Sequence, residues 1–129
     1  MPLDYSDLTP FQKGYVEAMF WTDASPDAEA DLKDKTISDL SQDAINRILT
    51  DCTRFEDYAA DLLALAYAND YRVERAGHDF WLTRNGHGAG FWDRDELMAE
   101  GLGDRLSKRA RKFGQVGLYV GDDGKVYLQ

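Results

Sequence analysis

The stretch FWLTRNGHGAGFW, residues 80–92, decides the fold that the sequence predicts. Aromatic residues stand at both ends of it, and its glycine-rich centre begins with Asn85-Gly86. This pair is preferred in a two-residue type I′ turn, because both central positions of that turn need a positive φ. The stretch therefore predicts a β-hairpin with its turn at residues 85–86.

The alternation of side chains along a strand divides this predicted hairpin into two faces. Trp81 and Trp92 fall on one face, and Arg84 lies opposite His87 near the tip. Aromatic rings combined with an arginine favour binding of a nucleotide-like anion. Trp81, Arg84, His87 and Trp92 are therefore candidate ligand-binding residues. The other face takes Phe80, Leu82, Ala89 and Phe91.

The residues before this stretch predict two helices. Either Asp7 or Thr9 can cap a first helix over about residues 9–22, with Pro10 at its first position. Ser38 and Ser41 are both candidate caps for a second helix, and Ser41 is the better placed of the two. This helix would cover about residues 42–68 and is either continuous or broken once. Asn69 or Asp70 would end it.

The residues after it predict a further helix and a second hairpin. The helix would start near Asp93 or Asp95 and stop at Gly114, and the pair of glycines at 101 and 103 can split it. The hairpin would turn at GDDG, residues 121–124, with either Asp122-Asp123 or Asp123-Gly124 as its central pair.

Together these elements predict a single α+β domain over residues 1–129, with an acidic mobile loop at about 23–36. Its architecture would be two N-terminal helices plus a small antiparallel sheet of about four strands, in two hairpins, with a crossing helix. A chain of 129 residues is long enough for one hydrophobic core.

The net charge of −9 is unevenly distributed. Residues 1–70 hold 15 acids and 5 bases, a balance of −10, whereas residues 71–129 hold 9 acids and 10 bases, a balance of +1. A negative surface repels phosphate backbones and anionic membranes and favours a basic partner. Direct nucleic-acid binding would need the basic cluster at residues 108–112 to overcome the net charge, so we expect none.

A group of carboxylates in and near the second predicted helix is the candidate partner-binding surface. Carboxylates along a helix can take the place of phosphates in a basic groove, although such a face is more often simply solvated. The group consists of Asp39, Asp43, Asp51, Glu56, Asp57 and Asp61.

Several other kinds of site are not expected. The GHGAG motif lacks the Lys-Ser/Thr of a phosphate-binding P-loop. In the predicted hairpin His78 and His87 would be roughly 20 Å apart, too far to share a metal ion. Cys52 lies in an apolar helical stripe and no nucleophile–base pair is evident. We therefore expect no enzyme activity, metal or cofactor.

Three kinds of feature that are not found in the sequence predict where in the cell the protein is located. The N-terminus lacks the basic segment of a signal peptide, and no apolar run approaches the roughly 18 to 20 residues of a membrane span. A lone cysteine excludes an internal disulfide. These features predict a cytosolic protein without a membrane partner.

Four blocks of the chain resemble a family of small uncharacterised proteins of tailed bacteriophages. The most specific is HDFWLTRNGHGAGFWDR, residues 78–94. The resemblance implies a phage accessory protein that binds and inhibits a host or defence protein in the host cytoplasm, for example an anti-CRISPR or anti-restriction inhibitor. The weaker blocks are LTPFQKGYVEAMFW (8–21), GDRLSKRARKFG (103–114) and LYVGDDGKVYLQ (118–129).

Overall fold

The computed structural model describes residues 4–23 and 32–129. Within these ranges the chain forms five α-helices and one antiparallel sheet of two strands. The helices and strands are α1 (Pro10–Asp23), α2 (Gln42–Tyr58), α3 (Ala60–Ala68), α4 (Val73–Arg84), α5 (Leu102–Arg111), β1 (Leu118–Val120) and β2 (Val126–Leu128). Short 3₁₀ turns occupy Tyr5–Asp7, Ile37–Asp39, Phe91–Asp93, Asp95–Leu97 and Ala99–Gly101.

The predicted α+β fold with about four strands is wrong, because the described residues are mostly helical and contain only the C-terminal pair of strands. The first predicted hairpin does not form. Its first arm, residues 80–84, is the last part of α4, and residues 85–90 form the loop that follows.

The Asn85-Gly86 pair ends a helix instead of turning a hairpin. Gly86 has a φ of 70°, but Asn85 has a φ of −97°, whereas a type I′ turn needs both to be positive. The His87 N–H donates to the Leu82 carbonyl at 3.0 Å, and the Gly86 N–H donates to the Thr83 carbonyl at 3.2 Å. These two bonds form a Schellman motif, in which a single left-handed glycine closes the helix.

The two predicted N-terminal helix starts are confirmed. Thr9 and Gln12 form a capping box: the Gln12 N–H donates to Thr9 Oγ1 at 3.2 Å, and the Thr9 N–H donates to Gln12 Oε1 at 3.0 Å. Ser41 Oγ accepts from the Ala44 N–H at 3.0 Å at the start of α2. The second predicted helix is broken once, at Ala59, where ψ is 17°.

Helices α1 and α4 cross at two glycines. A Cβ on Gly14 would lie 1.8 Å from the Glu74 carbonyl oxygen, and one on Gly77 would lie 1.9 Å from the Phe11 carbonyl oxygen. The two backbones therefore touch directly, with no room for any side chain at the crossing.

One hydrophobic core joins all five helices to the C-terminal strands, since a single cluster of buried residues runs from Leu8 to Val126. Stacked aromatic rings form its centre; the Phe55 and Phe80 centroids are 4.1 Å apart and their planes differ by 10°. The other aromatic residues of this centre are Phe11, Tyr15, Phe91 and Phe113.

The C-terminal hairpin forms as predicted, and its register is now defined. Leu118 pairs with Leu128 and Val120 pairs with Val126. The Gly124 N–H donates to the Gly121 carbonyl at 2.9 Å, so Asp122-Asp123 is the central pair of the turn. β2 is tied to the helices, because the Ser41 N–H donates to the Val126 carbonyl.

The predicted helix between Asp93 and Gly114 is shorter than expected. Gly101 has a φ of 64°, and α5 begins only after it, while residues 91–101 form three consecutive 3₁₀ turns. Residues 24–31 of the loop predicted at 23–36 lie outside the described residues. No helix in the described ranges combines the length and apolarity that crossing a membrane requires.

Candidate functional site

Arg84, predicted to lie at an exposed hairpin tip, is buried beneath α2 and α5, and its side chain is 1% exposed. Its Nη1 donates to Asp51 Oδ2 at 2.8 Å and to the Tyr15 hydroxyl at 3.0 Å. Nε and Nη2 donate to the carbonyls of Gly114 and Phe113, both at 2.9 Å. These partners satisfy a buried charge that would otherwise be costly, so Arg84 holds α4 to α2 and to the end of α5.

A cavity of about 540 Å³ lies above this buried pair, between α2 and the C-terminal end of α5. Three cationic side chains line it, from Arg47, Arg54 and Lys112. They come together because positions 47 and 54 are seven residues apart on one side of α2, which faces the residues that follow α5. The rest of the lining comes from Thr50, Asp51, Tyr58 and Phe113.

A second buried carboxylate, Asp79, lies in the middle of α4. Arg94 forms a bidentate pair with it: Nε donates to Oδ2 at 2.9 Å and Nη2 donates to Oδ1 at 2.6 Å. The Tyr71 hydroxyl also donates to Oδ2. Burial alone would raise the pKa of Asp79, but the hydrogen bonds and the positive charge of Arg94 outweigh it and hold that pKa below its ordinary value. This ion pair fixes the loop after α4 to the helix itself.

A groove between α1, α4 and the loop after α4 is lined by both histidines of the chain. One part, of about 470 Å³, reaches His78 and Arg75; an adjoining part, of about 390 Å³, reaches His87. Trp21 borders both and is 67% exposed, and its ring lies 5.8 Å from that of His78. Three arginines line the larger part, Arg72, Arg75 and Arg94, together with the carboxylates of Glu17 and Glu74.

The four residues predicted to bind a nucleotide-like anion do not converge. Trp81 is buried and its Nε1 donates to Thr22 Oγ1 at 2.8 Å, and Arg84 points into the core. His87 borders the groove beside α1, whereas Trp92 borders a separate small cavity. In the predicted hairpin Trp81 and Trp92 would share one face and Arg84 would lie opposite His87, but a helix distributes successive side chains around its axis.

The six predicted partner-binding carboxylates are also in different environments. Asp51 is buried between Arg84 and Arg47, Asp39 accepts from the Thr36 N–H at 2.8 Å, and Asp61 binds Arg109 at 2.7 Å. Glu56 is half-buried, and burial raises its pKa. Asp43 and Asp57 are exposed, near opposite ends of α2. Because Arg47 and Arg54 lie between these two ends, α2 does not present an unbroken acidic face.

A different acidic surface, missed by the sequence analysis, lies on the 3₁₀ turns and the start of α5. We call it the 92–104 face. Trp92 is 40% exposed and Met98 is 68% exposed, and both border one small cavity with Asp104. The exposed carboxylates around them are Asp93, Asp95, Glu96, Glu100 and Asp104.

Only one base occurs within residues 92–104, Arg94, and it is bound to Asp79. Glu100 adopts a φ of 60°, a left-handed conformation that costs a non-glycine residue about 1–2 kcal/mol. The density of acids in this segment was visible in the sequence. The predicted hairpin, which included Trp92, and the predicted helix, which included Met98, concealed that both side chains lie on one exposed acidic segment.

Within residues 4–23 and 32–129, no group of three or more His, Cys, Asp or Glu side chains is placed to hold a metal ion. Cys52 is buried in α2, and burial raises the pKa of its thiol well above the ordinary value. A thiol in that environment is a poor nucleophile, because the reactive species is the thiolate. The chain matches no protein-family model, no curated protein and no solved structure.

Proposed function

We propose that this protein acts by binding a partner protein with a basic surface, and that the 92–104 face is the contact. The observation that carries the proposal is a pair of exposed apolar side chains, Trp92 and Met98, set among five exposed carboxylates. Protein interfaces commonly have an apolar anchor of this kind, with Trp among the residues that contribute most to affinity, surrounded by a polar rim.

The charge of the face supports the choice of partner. Within residues 92–104 five carboxylates oppose one arginine, already bound to Asp79, so the field of this segment is negative up to the exposed Arg105 that follows it. Such a field accelerates association with a basic surface and disfavours acidic competitors. The exposed Asp43 and Asp57 of α2 add to the long-range attraction, although Arg47 and Arg54 interrupt that surface.

The biological setting of the proposal comes from the resemblance of residues 78–94 to proteins of tailed bacteriophages. In that setting the protein is a non-enzymatic accessory protein that blocks a host or defence protein in the host cytoplasm. Machinery that handles nucleic acids fits the partner chemistry, because its binding grooves are basic and an acidic face competes for them.

The test is affinity capture from host lysate at low salt, followed by affinity measurement with the isolated partner. The Trp92→Ala/Met98→Ala variant should bind at least about tenfold more weakly, as expected when interface anchors are truncated. The matched control is Trp21→Ala/Leu65→Ala, which removes a tryptophan and an aliphatic residue that are 67% and 45% exposed elsewhere. The control should bind like the wild type.

A second variant separates charge from apolar contact. Asp95→Asn/Glu96→Gln/Glu100→Gln should slow association and flatten its dependence on salt, since exposed charges act through a screened field. If no protein is captured, or if the Trp92/Met98 variant binds its partner with unchanged affinity, the 92–104 face is not the interface.

A further inference from the structure

The cavity between α2 and α5 gathers positive charge on a strongly negative protein. Arg47, Arg54 and Lys112 line it, while the net charge of the chain is −9. Among the described residues, neither Arg54 nor Lys112 has a carboxylate within 4.0 Å. Like charges that share a cavity repel one another, so this arrangement lowers the free energy of an anion bound between them.

Arg47 is pre-oriented by the buried pair below it. Its Nε donates to Asp51 Oδ2 at 3.0 Å, and the same oxygen accepts from Arg84 at 2.8 Å. Within the described ranges no acceptor is recorded for either Nη group of Arg47, and its side chain is 42% exposed. A guanidinium fixed through one edge offers its remaining donors with little further loss of conformational entropy, and these donors suit phosphate oxygens.

Helix dipoles account for only one of the three cations. Lys112 follows the end of α5, where a cation is favoured by the helix dipole. Arg47 and Arg54 project from the middle of α2, and neither position gains from a dipole. The one carboxylate in the lining, Asp51, is already neutralised by Arg84, so the cavity itself keeps a positive balance.

The remaining wall suits a small organic ligand. Tyr58 is 43% exposed; the Arg109 guanidinium lies 5.4 Å from its ring centroid, and the part of the ring that Arg109 leaves open faces outward, while Thr50 is an exposed hydroxyl-bearing residue. A volume of about 540 Å³ lies within the range of small-molecule sites. We infer that this cavity binds a small anion with two adjacent phosphoryl groups, with Arg47, Arg54 and Lys112 as the phosphate-contacting residues.

The experiment is isothermal titration of the full chain at low ionic strength with two probes, inorganic pyrophosphate and ADP. Both carry the diphosphate, and only ADP carries a ring that can lie on Tyr58. Arg47→Gln/Arg54→Gln should weaken both probes by about tenfold or more for each lost guanidinium. Lys112→Gln should weaken both to a smaller extent, because a flexible ammonium gives no bidentate contact.

The matched control is Arg72→Gln/Arg75→Gln, which removes two arginines from the groove beside α1 and leaves the cavity intact. Unchanged affinity in this control, with unchanged circular dichroism and melting temperature in all variants, supports the cavity. Tighter binding of ADP than of pyrophosphate adds a contact from the ring to Tyr58, and equal binding limits recognition to the diphosphate.

The inference would be overturned if neither probe binds, if the Arg47/Arg54 variant retains wild-type affinity, or if the Arg72/Arg75 control loses it. Tighter binding of a short single-stranded oligonucleotide than of ADP would also count against a small-molecule site. The Trp92/Met98 variant should bind both probes like the wild type, so a failure here is distinguishable from a failure of the proposed protein interface.

Discussion

At the scale of single residues, the Asp79 side chain has no exposed surface, and it accepts two hydrogen bonds from Arg94, whose side chain is 19% exposed. Burial raises the pKa of Asp79, but the hydrogen bonds from Arg94 and Tyr71 and the positive charge of Arg94 outweigh it, so the pKa in the folded protein lies below the ordinary value near 3.8. The unfolded chain therefore binds the proton more readily. Its contribution to stability is present above the ordinary pKa and is lost as pH falls through the folded pKa.

Replacing Asp79→Asn should lower the free energy of unfolding by roughly 2–3 kcal/mol at pH 7, because Arg94 would be left without its anionic partner. The difference from the wild type should shrink as the pH falls below about 4, because Asp79 of the unfolded wild-type chain then takes up a proton, while the folded protein keeps this carboxylate charged until its lower pKa is reached. Urea unfolding at several pH values between 3 and 7 measures both effects.

Asp57→Asn is the control, since it removes an exposed carboxylate for which no ion pair is present among the described residues. Its effect on stability should stay within about 0.5 kcal/mol. A difference between wild type and Asp79→Asn that stayed constant from pH 7 to pH 3 would show that the carboxylate charge is not the source of the stabilisation.

Single residues were the hardest level to predict from sequence, as Arg84 and Trp81 illustrate. Both are polar-tipped side chains that an exposed hairpin would present to a ligand. In the fold both have their polar atoms satisfied inside the protein, by Asp51 and Thr22 among others. Those partners are 33 and 59 residues away in sequence, so nothing in the local pattern identifies them.

At the scale of elements, the crossing of α1 and α4 depends on two glycines. Gly77→Ala should destabilise the protein by about 2–3 kcal/mol, because its methyl group would meet the Phe11 carbonyl at 1.9 Å and the helices would have to separate. The better helix propensity of alanine, about 1 kcal/mol, offsets only part of this cost. Thermal or urea unfolding provides the measurement.

Gly88→Ala serves as the control, because a Cβ there meets nothing within 4 Å. It should leave stability unchanged or raise it by up to about 1 kcal/mol through the unfolded state. Equal effects of the two substitutions would mean that the close approach of α1 and α4 does not contribute to stability.

Elements were predictable where a cap accompanied a helical period. Thr9 and Ser41 placed the starts of α1 and α2 correctly, because their side chains bond the first free N–H groups. Helix α4 was missed although Ala76, Phe80 and Arg84 recur every four residues and are all buried. The Asn-Gly signal outweighed that period, yet a glycine with positive φ ends a helix as readily as it turns a hairpin.

At the scale of the whole molecule, the core connects elements that are distant in sequence. The Phe55 ring of α2 lies within 6.1 Å of Phe11 from α1 and within 5.8 Å of Phe91 and Phe113, and it stacks on Phe80 from α4. Each of these elements buries its apolar side chains against the others, so the unfolding of one exposes the core residues of its neighbours. Single-domain organisation over residues 1–129 remains a prediction, and its physical consequence is cooperative unfolding.

The unfolding transition should therefore be two-state. In a Trp21→Phe/Trp92→Phe background the fluorescence of buried Trp81 reports on α4, while circular dichroism at 222 nm reports on all helices. Both probes should give one urea midpoint, with a slope of about 1–3 kcal/mol per molar. Phe55→Leu removes ring contacts to four segments at once. It should lower the free energy of unfolding by roughly 1–2 kcal/mol and shift both urea midpoints together to lower concentration.

Two outcomes would contradict a single cooperative unit. The Trp81 signal could change at lower urea than the helical signal, which would mean that α1 and α4 separate before α2, α3 and α5 unfold. Alternatively, Phe55→Leu could shift one midpoint and leave the other in place. The Phe55 ring of α2 contacts Phe11 of α1 and Phe80 of α4 as well as Phe113 after α5. The second outcome would therefore exclude a core shared by these elements, even if the wild-type transitions coincided by chance.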